Sequence, residues 1–280
     1  MDDSFYTIVL HHPARPATCL SRALTSLRGA TSSPHVVDVL VQGNEKPAAL
    51  KRTGDGYELR CAVFGENLGI GGGFRQGVER FLQSDAQWLL KIDDDIAVPR
   101  YVLDVLRQII FYEADESDRL LGAVMMATAR TKVRLLSRRV SSNGVKTIKP
   151  VDGHRGRGGM RFLNYDVSWR LTDFADVGCT LYPRQLFEEG CLPDPELFVG
   201  GIGLYLVLQG TEKGYEWAVC TDPRCDHFNA DCHSSSYKDI RSDQTVFGRS
   251  LAHFHGKWGL APVPLAKAAG ALRGDGRIVL

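Results

Sequence analysis

Strand-like and helix-like segments alternate along the first 127 residues of this 280-residue chain. Short runs rich in Val, Ile and Leu are typical of buried strands, and apolar residues spaced three and four apart are typical of amphipathic helices. Their alternation favours βαβ units, which build a parallel sheet covered by helices. The predicted strands are 6–10, 36–41, 59–64, 87–92 and 121–127, and the predicted helices are 17–28, 74–82 and 102–111.

The alternation weakens in the second half. Residues 140–160 are rich in Gly, Lys and Arg without a clear period. This pattern predicts a loop or a bent β-ribbon that lies over the functional site of the protein. A strand is predicted at 176–182, and helices at 183–189, 204–212 and 240–258. We therefore expect one domain over residues 1–262, with halves at 1–127 and 128–262, and a C-terminal tail at 263–280.

Composition is that of a soluble globular protein, with 44% apolar and 24% charged residues. The net charge of +1 creates no field that would recruit nucleic acid, so no nucleic-acid partner is expected. No stretch reaches the roughly 20 apolar residues that span a bilayer, and no signal-peptide pattern is visible. We expect a cytoplasmic protein without a transmembrane segment, and the sequence leaves a homo-oligomer open.

Cysteine usage predicts reduced thiols, because the seven cysteines are odd in number and scattered along the chain. One cluster between residues 220 and 233 carries enough ligands for zinc. It lacks paired C-x-x-C spacing, so a structural zinc site is an open alternative. The cluster consists of Cys220, Cys225, His227, Cys232 and His233.

Three consecutive aspartates, Asp93, Asp94 and Asp95, directly follow a predicted buried strand. They lie at the carboxyl edge of the predicted sheet, which is where open α/β sheets bind ligands. Adjacent like charges repel and favour a cation, and carboxylate oxygens suit Mg²⁺ or Mn²⁺, which usually also hold substrate phosphates. The alternative is a solvated acidic turn that starts a helix.

A glycine-rich run at 67–77 follows the third predicted strand and opens a helix. Glycines and a helix N-terminus together let backbone amides approach a phosphate. The run is neither a dinucleotide fingerprint, which follows the first strand, nor a P-loop, because no G-K-[ST] follows. The alternative is a glycine-rich connector without a ligand.

The glycine-rich turn and the aspartate run that follows it resemble the nucleotide-sugar-binding half of the family-2 glycosyltransferases of the GT-A fold. The likeness is greatest to their rhamnosyl- and galactofuranosyltransferase-like members. It runs from residue 6 to about 259 and is strongest over 64–96. It implies an α/β fold with a Rossmann-like, mostly parallel central sheet, flanking helices and a small acceptor-side α+β extension.

The resemblance implies an enzyme that moves a sugar from a nucleoside-diphosphate-sugar to the hydroxyl of a glycan, a lipid-linked or a small-molecule acceptor. A divalent cation, Mn²⁺ or Mg²⁺, would be held by Asp93, Asp95 and His227. The residues implied to border the nucleotide-sugar are Leu10, His11, Gln42, Asn44, Asn67, Gly71, Gly72, Arg75, Asp93 and Asp94.

The chain departs from the family at the expected catalytic base. The segment 193–201 resembles the approach to that base, but the usual acidic positions hold Ile202, Gly203 and Tyr205. An inverting transfer needs a base close to the acceptor hydroxyl. The nearest candidate carboxylates are Asp176, Asp194, Glu196 and Asp226.

Two alternatives to an inverting transferase stay open. A non-catalytic homologue would bind a nucleotide-sugar and transfer nothing, and inversion or retention of the anomeric carbon is undecided. A nucleotidyltransferase is disfavoured. Enzymes of that class carry a glycine-rich loop directly after the first strand, whereas residues 11–16 of this chain contain no glycine.

Overall fold

The computed structural model describes residues 4–47, 50, 56–129, 131, 133–140, 146–175, 178–198, 201–228 and 244–259. The predicted tail at 263–280 lies outside them. The elements of the first half are β1 (Phe5–His11), α1 (Ala17–Leu27), β2 (His35–Val41), β3 (Glu58–Val63), α2 (Gly69–Leu82), β4 (Trp88–Asp93), β5 (Ile96–Ala97), α3 (Val102–Ser117) and β6 (Leu121–Met126).

The second half adds short strands and three further described helices. Its strands are β7 (Val133–Val140), β8 (Lys146–Asp152), β9 (Gly156–Phe162), β10 (Tyr165–Thr172), β11 (Phe174–Ala175), β12 (Cys179–Pro183), β13 (Glu216–Asp222) and β14 (Asp226–His227). Its helices are α4 (Arg184–Glu188), α5 (Ile202–Glu212) and α6 (Gln244–Lys257).

A nine-stranded sheet forms the centre, in the order β3-β2-β1-β4-β12-β6-β13-β10-β9. The first four of these strands are mutually parallel, and β13 is parallel to β6. Strand β12 lies antiparallel between β4 and β6, and β10 is antiparallel to both of its neighbours. The predicted α/β fold with a mostly parallel central sheet is therefore confirmed.

The strand register decides where the aspartates emerge. Leu10 at the end of β1 is aligned with Leu40 on one side and with Asp93 on the other. The carboxyl ends of β1, β2 and β4 thus meet at one edge of the sheet, as the sequence predicts.

Apolar side chains cover both faces of the sheet. Helices α1 and α3 pack on one face and contribute residues such as Leu24 and Leu106. Helices α2, α4 and α5 pack on the other face, with Phe81 and Phe187 in edge-to-face contact. Burying each such side chain stabilises the fold by roughly 1.5–3 kcal/mol. The sheet edge is consequently held between two packed layers.

Three parts of the chain differ in detail from the sequence prediction. Helix α2 begins at Gly69 rather than at residue 74, so most of the glycine-rich run is helical. Residues 140–160 contribute to a β-ribbon: β7 and β8 form an antiparallel pair, which belongs to a separate three-stranded sheet. Strands β10 and β13 are absent from the sequence prediction, although the alternation of β10 and the apolar run of β13 are both typical of strands.

Two further predictions concern membranes and thiols. Among the described residues, no helix combines the length and the apolar character needed to cross a bilayer. Cys61, Cys179, Cys191, Cys220 and Cys225 are free thiols. Cys19 is in a disulfide bond, so the prediction of reduced thiols is wrong there.

Candidate active site

The three aspartates diverge at the end of β4. Asp94 and Asp95 are each only 1% exposed, whereas the Asp93 side chain is 38% exposed. Each carboxylate contacts a different group of partners. The run is therefore not a solvated acidic turn, because two of its three charges are buried and compensated.

Asp94 is held by two cationic or proton-donating side chains that follow β1. Its Oδ2 lies 2.6 Å from Nδ1 of His11, and its Oδ1 accepts a hydrogen bond from Nη1 of Arg15. Arg15 lies at this site although it belongs to no motif that the sequence indicates. Its only sequence signal is its position four residues beyond the end of β1.

Asp95 shares Arg15 with Asp94 and adds a histidine. Its Oδ2 lies 2.9 Å from Nη1 of Arg15 and 3.3 Å from Nε2 of His227, and its buried Oδ1 has no hydrogen-bond partner in the described structure. Burial alone would raise the pKa of Asp95. The hydrogen bond from His227 and the charge of Arg15 outweigh burial and hold that pKa at about 2.

A two-stranded ladder brings His227 to the aspartates. Strand β5 follows Asp95 directly, and its Ile96 is paired with His227 of β14. The backbone N–H of Phe228 also donates to the carbonyl of Asp95 at 3.1 Å. The structure thus brings together His227 and Asp95, two of the predicted metal ligands.

Asp93 lies beside these residues with different partners. Its carboxylate accepts a hydrogen bond from Nζ of Lys91, and its backbone N–H donates to the carbonyl of Gly178 at 2.8 Å. A Cβ added to Gly178 would overlap Oδ2 of Asp93, so a larger residue at this position would displace the carboxylate from where it lies.

The described residues contain no group of three or more His, Cys, Asp or Glu side chains gathered as a metal site. A cation of the Mg²⁺ type often takes only one or two carboxylates from the protein and further oxygens from substrate phosphates. Asp95 and His227 fit such a partial set, because Oδ1 of Asp95 is buried and unpartnered.

The glycines of α2 serve helix packing. The amides of Ile70 and Gly71 donate to the carbonyls of Phe198 and Leu197 at 2.8 and 3.1 Å. A Cβ at Gly73 would overlap the Gln42 side chain. The inference that glycine amides of this run face a phosphate is therefore wrong for residues 70 and 71, because chain carbonyls already occupy those donors.

Gln42 is a structural clamp at the end of β2. It is 6% exposed, donates to the carbonyl of Gly69 at 2.9 Å and accepts from the amide of Leu68 at 2.8 Å. Asn67 caps the same turn, because its Oδ1 accepts from the amide of Gly69 at 3.0 Å. Asn44 is exposed on the loop after β2.

The remaining predicted nucleotide-sugar residues lie at or near this edge. Leu10 is the last residue but one of β1, and Gly72 lies in the first turn of α2. Arg75 forms an ion pair with Glu79 one helical turn later, at 2.7 Å. No contact between Arg75 and the aspartates is found among the described residues.

The four candidate carboxylates for the catalytic base differ in exposure and in their partners. Glu196 and Asp226 are exposed, and Asp226 pairs with Arg22 at 2.7 Å. Asp194 is 6% exposed and contacts His253 and Lys257. Asp176 lies outside the described residues. The first turn of α5, where the acids were expected, carries no acidic residue.

The described members of the possible zinc cluster do not converge. Burial raises the pKa of the Cys220 and Cys225 thiols to about 12, which disfavours the thiolates that bind zinc. The Cys225 thiol donates weakly to backbone carbonyls, and His227 faces Asp95. Cys232 and His233 lie outside the described residues, so the full cluster is untested.

No protein-family model and no curated protein matches the chain by sequence. Solved glycosyltransferase structures do match it. The mannosyltransferase PcManGT from Pyrobaculum calidifontis, in complex with GDP-Man and Mn²⁺, superposes with a TM-score of 0.57 at 14% identity, covering 95% of this chain and 68% of that one.

Two structures of the S. aureus TarS fragment 1–349 give the same result. One has a TM-score of 0.54 at 13% identity, and one in complex with UDP has 0.53 at 14% identity. Both cover 94% of this chain and 68% of the fragment. At these identities the likeness concerns the backbone alone: the chain has the fold of these glycosyltransferases.

Proposed function

We propose that the chain is a divalent-cation-dependent glycosyltransferase, which moves a sugar from a nucleoside-diphosphate-sugar to an acceptor hydroxyl with inversion. One observation carries the proposal. At the carboxyl edge of the parallel sheet, the buried Asp95 keeps one oxygen without a partner and lies next to His227. A fully buried carboxylate oxygen without a partner is costly unless a ligand compensates it.

Asp95 and His227 would hold the cation, with Asp93 as the more exposed third ligand. Carboxylates suit both Mg²⁺ and Mn²⁺, and an imidazole among them favours Mn²⁺, because Mg²⁺ is held almost entirely by oxygen. When bound, such a cation stabilises negative charge on a leaving diphosphate. The half-exposed Asp93 leaves this side open to a donor.

Charged and polar side chains of the protein stabilise the buried carboxylates at the proposed cation site. Arg15 compensates Asp94 and one oxygen of Asp95, so the buried carboxylates do not simply repel. His11 fixes the other oxygen of Asp94. Asp94 is therefore a positioning carboxylate for Arg15 and His11, and a contact of Asp94 with the nucleotide-sugar requires it to exchange one of these partners.

The nucleotide-sugar is proposed to lie along the ends of β1 and β2 and across the start of α2. This placement follows the carboxyl-edge rule for open α/β sheets. The similar folds support it, since one was solved with GDP-Man and Mn²⁺ and another with UDP. Among the predicted contacts, Leu10, Asn44, Gly72, Arg75 and Asp93 are proposed to meet the nucleotide-sugar directly, and His11 and Asp94 only after exchanging a partner. Gln42, Asn67 and the amide of Gly71 are already engaged within the fold, so no donor contact is proposed for them.

A non-catalytic nucleotide-sugar-binding protein is the second candidate. It is favoured by one observation, the absence of any acid in the first turn of α5, where Ile202 is buried and Gly203 follows it. Such a protein would bind donor and cation and release no nucleoside diphosphate.

The test measures binding and turnover separately. Thermal unfolding is followed with GDP-mannose, UDP-glucose and the free diphosphates, each with and without Mn²⁺. A ligand at about 100 times its Kd adds about 2.7 kcal/mol to stability, which raises Tm by several degrees. Release of nucleoside diphosphate is then measured with the donor that gives the largest Mn²⁺-dependent shift.

Asp95→Asn is expected to abolish both the Mn²⁺-dependent shift and the release. Asp166→Asn is the matched control, because Asp166 is an exposed carboxylate on β10. Binding without release in the wild-type protein would select the second candidate. Absence of any Mn²⁺-dependent shift across the donors would refute both.

A further inference from the structure

A buried carboxylate lies against the first turn of α2. Asp194 belongs to the segment between α4 and α5, and its backbone carbonyl touches the place that a side chain at Gly71 would occupy. Three residues later, the carbonyl of Leu197 accepts a hydrogen bond from the amide of Gly71. The Asp194 segment thus packs against the start of α2, across which the donor is proposed to lie.

Helix α6 supplies two partners for this carboxylate, one helical turn apart. Nε2 of His253 lies 3.0 Å and Nζ of Lys257 lies 2.9 Å from the same Oδ2 of Asp194. The other oxygen accepts the backbone N–H of Glu196 at 3.0 Å. Every oxygen of this carboxylate is therefore engaged.

These contacts make Asp194 a poor proton acceptor. Burial alone would raise its pKa, but the hydrogen bonds from His253, Lys257 and the Glu196 amide lower it to about 2. Asp194 is consequently a fixed negative charge rather than the missing base. Its geometry is that of a carboxylate that orients an imidazole.

Lys257 contacts Tyr205, which occupies a position where the glycosyltransferase family that the chain resembles carries an acid. Its ammonium lies 5.3 Å from the centre of the Tyr205 ring, and hydrogen bonds to Tyr205 and Asp194 raise its pKa. A lysine held in its charged form accepts no proton. Of the three side chains Asp194, Lys257 and His253, only the imidazole of His253 is left to accept a proton.

The His253 imidazole has the geometry of an oriented base. Its side chain is 34% exposed, and its Nδ1 has no hydrogen-bond partner in the described part of the chain. Because Asp194 accepts a hydrogen bond, it places the proton on Nε2 and leaves the Nδ1 lone pair available. Nδ1 can therefore take a proton from a group outside the fold.

We propose that His253, oriented by Asp194, is the general base that replaces the missing carboxylates of α5; the inference rests on the proposed glycosyl transfer. The acceptor O–H proton passes to Nδ1 of His253 as the acceptor oxygen bonds to the anomeric carbon. The bond from that carbon to the phosphate oxygen breaks, and the diphosphate leaves with its electron pair. Asp194 is the positioning residue.

The experiment uses the full chain with Mn²⁺ and GDP-mannose or UDP-glucose, with water as the acceptor. His253→Ala is expected to slow release of nucleoside diphosphate about 100-fold or more, the usual range for a general base. The Tm of this variant should stay within a few degrees of the wild-type value, and its donor Kd should stay within twofold. Added imidazole should restore much of the release.

Two further variants separate a base from a structural histidine. His255→Ala removes the neighbouring histidine of the same helix and should release diphosphate at the wild-type rate. Asp194→Asn should slow release at least tenfold, and the double variant His253→Ala/Asp194→Asn should be no slower than His253→Ala, because the pair acts as one unit.

The outcomes distinguish the two levels of the proposal. Two results with an active wild type would overturn the inference of a His253–Asp194 dyad and leave the proposed transfer standing. In the first, His253→Ala releases diphosphate as fast as the wild type. In the second, His253→Ala loses this release, imidazole does not restore it, and the Tm of the variant falls. If the wild type shows no Mn²⁺-dependent donor binding or release, the proposed function fails, and the dyad with it.

Discussion

Nη1 of Arg15 lies 2.9 Å from Oδ2 of Asp95, and both side chains are almost fully buried. The same guanidinium nitrogen also contacts Asp94, so one arginine compensates two neighbouring carboxylates. This contact explains how an Asp-Asp-Asp run at the end of a strand folds against the protein instead of turning out to water.

Replacing Arg15 by Met should strongly destabilise the protein. The change keeps much of the side-chain volume but leaves Asp94 and Asp95 buried without their cation, which costs about 3–5 kcal/mol. Urea unfolding at pH 7 measures the loss. The control Arg60→Met breaks an exposed ion pair with Glu58 and should cost less than about 1 kcal/mol. Equal losses in the two variants would contradict this account of Arg15.

Replacing Gly178 by Ala should damage the cation site specifically. The new Cβ would overlap the Asp93 carboxylate and lie 2.6 Å from Cδ1 of Ile96. Overpacking of this kind costs about 1–3 kcal/mol, and we expect at least a tenfold weaker Mn²⁺ affinity by titration calorimetry. At Gly159 the nearest atom to an added Cβ is 3.6 Å away, so Gly159→Ala should leave the Mn²⁺ affinity unchanged. An unaltered affinity in Gly178→Ala would exclude Asp93 as a ligand.

Two glycines in helices should respond to alanine with opposite signs. Alanine raises helix propensity by about 1 kcal/mol over glycine. At Gly77 of α2, however, the new Cβ would lie 2.6 Å from Ile8 and 2.9 Å from Leu40, so overpacking should produce a net loss of about 1–2 kcal/mol. Gly256 of α6 has no atom within 4 Å of that position, and Gly256→Ala should be neutral or stabilising. Stabilisation by Gly77→Ala would show that α2 does not pack closely on the sheet.

His35 should make the protein sensitive to mild acid. Burial lowers the pKa of this imidazole from 6.5 to about 4, its Nε2 lies 2.7 Å from Oγ1 of Thr7, and its Nδ1 has no partner in the described structure. The fold therefore favours the neutral form. Well above pH 6.5 this histidine adds no pH dependence, because it is neutral in both the folded and the unfolded state.

As the pH falls from 6.5 to about 4, the unfolded chain binds a proton that the folded chain does not, so stability is lost; below about 4 the loss levels off. The whole effect is about 3 kcal/mol. Urea unfolding of the wild type and of His35→Gln at pH 7, 5.5 and 4 measures it as the difference between the two curves. Parallel curves would mean that His35 takes up its proton without unfolding.

The glycine-rich run shows where sequence patterns mislead. Glycines after a strand and before a helix are typical of phosphate-binding turns, and the same residues are needed wherever a helix approaches a sheet closely. The distinction depends on Gln42, Ile8 and the 194–198 segment, which lie against α2 only after folding. No local pattern in 67–77 carries that information.

The aspartate run and the alternating elements around it could be predicted, because both depend on residues that are neighbours in the chain. Periodicity decides which segments become strands, and a residue that directly follows a parallel strand must lie at its carboxyl end. The sequence by itself therefore determined the α/β fold and the edge at which Asp93, Asp94 and Asp95 emerge.

Only the tertiary structure decided what those carboxylates meet. The contacts of Asp94 with Arg15, Asp95 with His227 and Asp194 with His253 join residues 79, 132 and 59 positions apart. Such pairings arise from the packing of whole elements, and no local preference specifies them. The same packing buries one oxygen of Asp95 without a partner and leaves the His253 imidazole half-open, which are the two features that the proposed donor site and the proposed base require.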